Sequence, residues 1–305
     1  MIEPLVFLNG QLLPASQASL NIYDAGVVFG ATVTEMTRTF RHQPFRLEDH
    51  VTRLFRSLKA TRMDIGMSPE EFITKSRDLL AHNARLIPAD DELGLIQFVT
   101  AGEYGSYVAS REVVVRNGPT VCIHTFPLPF ALWAKRMQSG AHVVTPTIRH
   151  VPPQCYDPST KNRSRLHYYL ADQEARQTDP QAIALLLDVE GNVTETSGAN
   201  FLIVERGTIV SPTERNTLPG VSRATVIELA ARLGIPFVER DFPPNVVMNA
   251  DEAFLSGTSI CLCPVTKING QIIGDGQPGS VYRRLMTAWS ELVGVDIGSQ
   301  FLSRL

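Results

Sequence analysis

Short apolar runs with a period of two recur along almost the whole chain, and this alternation constrains the fold more than any other feature. "VVFGATVTEMTRTFRHQPFRL" sets Val33, Glu35, Thr37 and Thr39 on one side of an extended backbone and Thr34, Met36, Arg38 and Phe40 on the other, the pattern of a strand. The opening "PLVFLNGQLLP" holds two shorter runs around Asn9-Gly10, a dipeptide suited to the positive φ angles of a tight hairpin. Further strands are expected at "LGLIQFVTAG", "PTVCIHTF", "AHVVTP", "AIALLLD", "NFLIVER", "IPFVERDF", "EAFLSGTS" and "CLCPVTKING". Helical stripes are fewer. "EDHVTRLFRSLKATRM" is apolar at Val51, Leu54, Phe55 and Leu58, one face of a helix. "SPEEFITKSRDLLAHNARL" offers Ser68 as a cap with Glu71 three residues on, and helices are also expected after Lys161 and at "SRATVIELAARLG" and "SVYRRLMTAWSELVG". Strands outnumber what a strict βαβ alternation supplies, so a mixed α/β (α+β) protein with much antiparallel sheet is expected. Pro127 and Pro129 interrupt the pattern and divide the chain into a small N-terminal α/β domain, residues 1–127, and a larger C-terminal domain, residues 128–305.

Composition narrows the partners. At 305 residues, 44% hydrophobic and 19% charged, the chain has ordinary globular composition. A net charge of -3 without long Lys or Arg blocks gives no footprint for nucleic acid or an anionic membrane, which leaves a small molecule. Cys122, Cys155, Cys261 and Cys263 form no C-x-x-C pair, so neither a metal site nor a disulfide framework is expected. "MIEPLVFLNGQLL" has no basic n-region, and no apolar run reaches the roughly 18 residues of a membrane span. A cytoplasmic protein with reduced thiols is the expectation.

Four stretches could carry chemistry. In "DPSTKNRSRLHYYLADQEA" stands Lys161, one of only five lysines among 28 basic residues. A lysine with a pKa of about 10.4 is a poor nucleophile, but a partly buried, electropositive setting frees the amine. Arg163, Arg165 and His167 supply such a setting. "LLLDVEGNVTETSGANFLIVERG" places a lone carboxylate, Glu195, among small residues that let a flat ligand approach; a buried carboxylate can hold a heteroaromatic nitrogen protonated. In "NTLPGVSRATVIELAARLG", Pro219-Gly220 makes a turn, and Val221, Ser222 and Arg223 open a helix whose free N–H groups favour an anion. "FLSGTS" adds Thr258 and Ser259. Taken singly, "KNRSR" suits a solvated helix start or an RNA contact equally well, Glu195 a turn facing water, and Ser222 a simple cap. Together, one amine, one isolated carboxylate and two oxyanion seats are the partners that pyridoxal phosphate requires.

These residues resemble the class IV, or fold type IV, pyridoxal-phosphate enzymes: branched-chain aminotransferases, D-amino-acid aminotransferases, R-selective amine transaminases and 4-amino-4-deoxychorismate lyases. The likeness runs through the first hairpin, Phe29-Gly30, "HVTRL" at 50–54, Lys161, "VTETSGANF", "LPGVSR" and "SGTS". It implies a two-domain homodimer with a barrel-like sheet in the larger domain, the cofactor between the domains, and a loop of the neighbouring subunit closing the site. It implies that Lys161 tethers pyridoxal 5'-phosphate covalently and shuttles a proton. Glu195 would pair with the ring nitrogen, Leu218 would pack on the ring, and Arg53, Val221, Ser222, Thr258 and Ser259 would hold the phosphate.

Substrate residues depart from the family pattern. Branched-chain enzymes carry a tyrosine and an arginine where Gly94 and Ile96 stand, and a tyrosine where Leu166 stands; D-amino-acid enzymes carry an arginine where Ala101 stands. Thr34 takes the place of an aromatic residue. The expected substrate residues are therefore Arg38, on the same strand face as Thr34 and Met36 and read as the receptor that binds the substrate carboxylate through two parallel hydrogen bonds, and Arg165, which matches the arginine of an asparagine-arginine-leucine run in the lyases. Two activities fit: transfer of an amino group from an amino acid donor to a 2-oxo acid acceptor, or elimination from 4-amino-4-deoxychorismate to 4-aminobenzoate and pyruvate. A non-catalytic cofactor-binding relative and a nucleic-acid-binding module are the readings from other classes.

Overall fold

A computed structural model describes residues 3–108 and 118–305. The chain divides into two compact units, Met1–Leu128 with Thr160–Arg165, and Pro129–Ser159 with Leu166–Leu305.

The first unit contains β1 (Leu5–Leu8), β2 (Gln11–Pro14), α1 (Ala25–Val28), β3 (Thr32–Phe40), β4 (Gln43–Pro44), α2 (Leu47–Thr61), α3 (Pro69–Asn83), β5 (Leu93–Thr100), α4 (Gly105–Val108) and β6 (Thr120–Pro127). Among the described residues its six strands form one antiparallel sheet in the order β2-β1-β6-β5-β3-β4. The β1–β2 hairpin turns at Asn9, whose φ is 53°, as the Asn-Gly pair requires.

Register decides what each face carries. Opposite Thr34, Met36 and Arg38 lie Phe98, Ile96 and Gly94, and opposite Ile96 and Gly94 lie His124 and Phe126; strand alternation puts these on one face. The other face presents Val33, Leu95, Val99, Val121 and Ile123 to α2 and α3. On α2 the spacing of Leu47, Val51, Leu54 and Leu58 makes the apolar stripe, and all four are buried. Each such side chain contributes about 1.5–3 kcal/mol by leaving water. α3 opens with the expected cap: Glu71 N donates to Ser68 Oγ at 3.2 Å and Ser68 N to Glu71 Oε2 at 2.8 Å.

The second unit contains α5 (Phe130–Ser139), β7 (Ala141–Val144), α6 (Leu166–Thr178), β8 (Ile183–Leu187), β9 (Val193–Thr196), β10 (Asn200–Glu205), β11 (Thr208–Ser211), α7 (Val221–Arg232), β12 (Phe237–Glu239), α8 (Pro244–Met248), β13 (Glu252–Gly257), β14 (Cys261–Ile268), β15 (Gln271–Ile272), α9 (Ser280–Val293) and α10 (Ile297–Leu302). Six of its strands close on themselves in the order β10-β13-β14-β7-β8-β9, with β9 returning to β10. The β14–β7 and β7–β8 pairs are parallel and the others antiparallel, so the barrel is mixed. Helices α5, α6, α7 and α9 pack against its strands. Phe201, Leu202, Ile203 and Val204 are consecutive and all buried, because a strand covered on both sides reads as a continuous apolar run. The barrel closes through one register pair, Glu195 opposite Asn200. No helix among the described residues is long and apolar enough to cross a membrane.

Candidate active site

Although it follows residue 159 in sequence, Thr160–Arg165 belongs to the first unit. It lies along β3: Thr34 N donates to Lys161 O at 2.9 Å, and Arg163 N donates to Thr32 O at 2.9 Å. Lys161 N donates to Ser57 Oγ at 3.2 Å. α6 begins only at Leu166, so Lys161 stands on an extended segment rather than in a helical turn. Pairing to β3 fixes its backbone on two sides, and its side chain is half-buried.

Arg53, on α2, reaches the same sheet. Its Nε donates to Glu35 Oε1 at 2.6 Å and its Nη2 to Glu35 Oε2 at 2.9 Å, a two-point pair. His50, one turn earlier, lies 2.8 Å from Glu35 Oε2 through Nδ1. Burial alone would raise the Glu35 carboxyl; the Arg53 charge and hydrogen bond, followed by those of His50, outweigh it and hold the group at about 2. Burial lowers the His50 pKa, against the pull of Glu35, and Arg53 and Lys161 lower it further. Glu35 therefore stabilises the fold fully above its unfolded value near 4.5, and the contribution, roughly 3 kcal/mol, is lost as pH falls from there towards about 2. Urea unfolding at pH 5 and pH 2.5 is expected to show a loss in the wild type that is reduced by about 2 kcal/mol in Glu35→Gln, most of that contribution; equal losses in both would remove the pair from the acid response.

Thr34 is buried and donates through Oγ1 to Gln97 O at 3.0 Å, and Met36 is half-buried. Arg38 is 1% exposed, its guanidinium stacked 4.1 Å from the centre of the Phe40 ring, with Nε donating to Thr39 O at 3.2 Å. Arg165 is half-buried. At Gly94 a Cβ would meet Phe126 Cε1 at 2.4 Å; the Phe126 ring fills the space that a side chain on that strand position would need.

In the second unit Glu195 is 8% exposed. Its Oε1 accepts from the Tyr168 hydroxyl at 2.9 Å, and its Oε2 accepts from Asn200 Nδ2 at 3.0 Å and Leu218 N at 3.2 Å. The Tyr168 oxygen is also 2.8 Å from His150 Nε2, while His150 Nδ1 faces Val151 O at 3.0 Å. A carbonyl only accepts, so Nδ1 carries a proton. Asn200 joins the parts: it is in register with Glu195 and Ser256, and its amide also donates to Leu218 O at 2.9 Å. Gly220 is required beside it, since a Cβ there would lie 2.1 Å from Asn200 Oδ1.

The α7 N-terminus begins after Gly220, which has no side chain to cap it. Ser222 is thus not the cap; it and Val221 sit buried in the first turn, whose N–H groups and dipole favour an anion. Arg223 is turned to structural use, donating through Nε to Ser211 Oγ at 2.9 Å and through Nη1 to Glu214 at 2.9 Å, and pairing with Glu239. Thr258 and Ser259 occupy the β13–β14 turn, half-buried, two and three residues beyond Ser256. The residues that sequence reasoning did not assign are Glu35, His50 and Ser57 around Arg53 and Lys161, and Tyr168, His150 and Asn200 around Glu195. Strand parity already put Glu35 on the Val33 side of the strand, which the structure shows to face α2 and α3, and Asn200, five residues from Glu195 across a Ser-Gly turn, is at hairpin distance. Nothing local marks His150. Among the described residues no cluster of three or more His, Cys, Asp or Glu could hold a metal ion.

Known proteins share this architecture. The profile of the amino-transferase class IV family matches residues 32–268. The chain is 31% identical over 293 residues to branched-chain-amino-acid aminotransferase-like protein 1 of Arabidopsis thaliana, a match covering 94% of this chain and 50% of that protein; it thus spans half the length of that relative. It is 28% identical over 285 residues to the D-alanine aminotransferase of Bacillus licheniformis, covering 93% and 95%. A branched-chain amino acid aminotransferase from T.th., solved with pyridoxamine 5'-phosphate, superposes with a TM-score of 0.83 at 26% identity, over 96% of this chain and 95% of that one. The chain belongs to the class IV aminotransferase family. It is a transaminase-class enzyme of fold type IV.

Proposed function

We propose that this enzyme uses pyridoxal 5'-phosphate to move an amino group from an amino acid to a 2-oxo acid. The observation that carries the reading is the environment of Glu195. A carboxylate offers about four acceptor positions; Tyr168, Asn200 and Leu218 N use three, so the donor set fits a group that brings one further N–H. When bound, the cofactor supplies an aldehyde that takes up the amino group and a protonated ring that accepts the electron pair left at Cα. The residues of the chain do the rest. Lys161 tethers the cofactor and moves the proton at substrate Cα. Glu195, fixed in place by its three donors, holds the ring N–H. Leu218 packs on the ring, and Arg53, oriented by Glu35, binds the phosphate with Val221, Ser222, Thr258 and Ser259.

Arg38, Thr34, Met36 and Arg165 are the proposed substrate residues, with residues 1–127 and 128–305 as the two domains. The enclosure of Arg38 favours Arg165 as the arginine that meets the substrate carboxylate and Arg38 as the one that shapes the strand face. Phe126 over Gly94 supports a pocket unlike that of the branched-chain enzymes. The aminotransferase relatives favour transfer over elimination, and family likeness favours a homodimer; scattered reduced cysteines favour the cytoplasm. The test is a half-reaction screen of the holoenzyme against L-amino acids, D-amino acids and amines. Conversion to the pyridoxamine form by an amino acid is expected, and its return with a 2-oxo acid. Release of pyruvate from aminodeoxychorismate with no acceptor present, in an enzyme inert to every donor, would overturn the proposal.

A further inference from the structure

A cavity of about 250 Å³ lies wholly within the second unit. Trp133, Leu255 and Ile260 form apolar wall, and Arg136, Arg176 and Asp172 line the polar part. Of the residues proposed to hold the cofactor, only Ser259 lines it.

Its charge is unbalanced. Arg136, half-buried on α5, donates through Nη2 to Gln181 O at 3.2 Å, yet its Nε is buried with no hydrogen-bond partner among the described residues. A buried guanidinium N–H without an acceptor is rare in native interiors. Arg176, on α6, is exposed at the cavity mouth and makes no ion pair or hydrogen bond among the described residues. The one carboxylate present is already engaged: Asp172 Oδ1 accepts from Ala184 N at 3.2 Å and Oδ2 from Ser197 Oγ at 3.0 Å. Two arginines thus line the cavity with a single carboxylate, whose oxygens hold other structure together. A mobile anion completes such a set, and the apolar wall suits a compact hydrocarbon body beside it.

We infer that this cavity is a binding site for a small carboxylate with a compact apolar body, its carboxylate held by Arg136 and Arg176. Ser197 and Ser259 also line it, so the occupant sits behind the turn that follows Glu195 and the turn that carries Thr258.

The test is titration of the holoenzyme with benzoate, followed by calorimetry and by Trp133 emission; the chain's other tryptophan, Trp289, is buried. Saturable binding of one benzoate per chain with a change in Trp133 emission is expected. The double substitution Arg136→Gln, Arg176→Gln should weaken binding by at least about tenfold with cofactor content unchanged, and acetate and inorganic phosphate should bind at least about tenfold more weakly than benzoate. If the double variant does not fold, Ile183→Phe, which narrows the cavity and keeps both arginines, should lose binding instead. Absence of saturable binding would overturn the inference. So would benzoate binding that survives these substitutions, which assigns it to the candidate active site, or a change of oligomeric mass in the double variant with benzoate affinity intact, which assigns the arginines to a subunit contact.

Discussion

Lys161→Ala is expected to abolish the half-reaction with every amino donor, by at least about 10⁴-fold, because it removes both the tether and the group that moves the Cα proton. The fold should survive. Lys161 is held through its backbone, with its N bonded to Ser57 Oγ and its O to Thr34 N, and alanine keeps both bonds. Circular dichroism should be unchanged, while borohydride treatment of the wild type should leave the reduced cofactor on residue 161. A reduced adduct on Lys59, Lys75, Lys135 or Lys267, or a variant that still turns over donor at a tenth of the wild-type rate, would remove Lys161 from the chemistry.

Glu195→Gln comes second in size. The substitution keeps the shape but removes the charge that three donors are arranged to receive: the Tyr168 hydroxyl and, on the other oxygen, Asn200 Nδ2 and Leu218 N. Loss of a preorganised electrostatic partner of this kind lowers rates by about 10²–10³-fold. The single-turnover rate should fall by that factor with the cofactor still bound. The pH dependence of its absorbance should also change, a readout that a merely structural carboxylate would not move. An unaltered spectrum and a rate within threefold of wild type would assign Glu195 to closing the barrel rather than to the ring.

How much of this was legible in the sequence differs by residue. The alternation of β3 was plain, including the side on which Glu35 lies, because strand parity is a local property. The partner of Glu35 was not, since Arg53 is 18 residues away and meets it only because α2 lies across that face. Arg38 shows the converse: parity put it on the proposed substrate face, but it could not reveal that the guanidinium folds down over Phe40. Ser222 looked like a helix cap, and a helix start two residues earlier moves it into the first turn. The segment around Lys161 looked like the mouth of a helix, yet α6 starts at Leu166, because pairing with β3 outweighs helical propensity over those few residues.

The amino-acid sequence by itself determined the mixed α and β character, the apolar stripe of α2 and the capping box at Ser68 that opens α3, all of which follow from spacing within a few residues. Tertiary structure alone decided what surrounds those groups. The return of β9 to β10 brings Asn200 onto Glu195, the packing of α6 on the barrel brings Tyr168, and the pairing of Thr160–Arg165 with β3 sets Lys161 beside Ser57. Such contacts depend on which strand lies next to which and in what register, and that is chosen by burial over the whole chain rather than by local pattern.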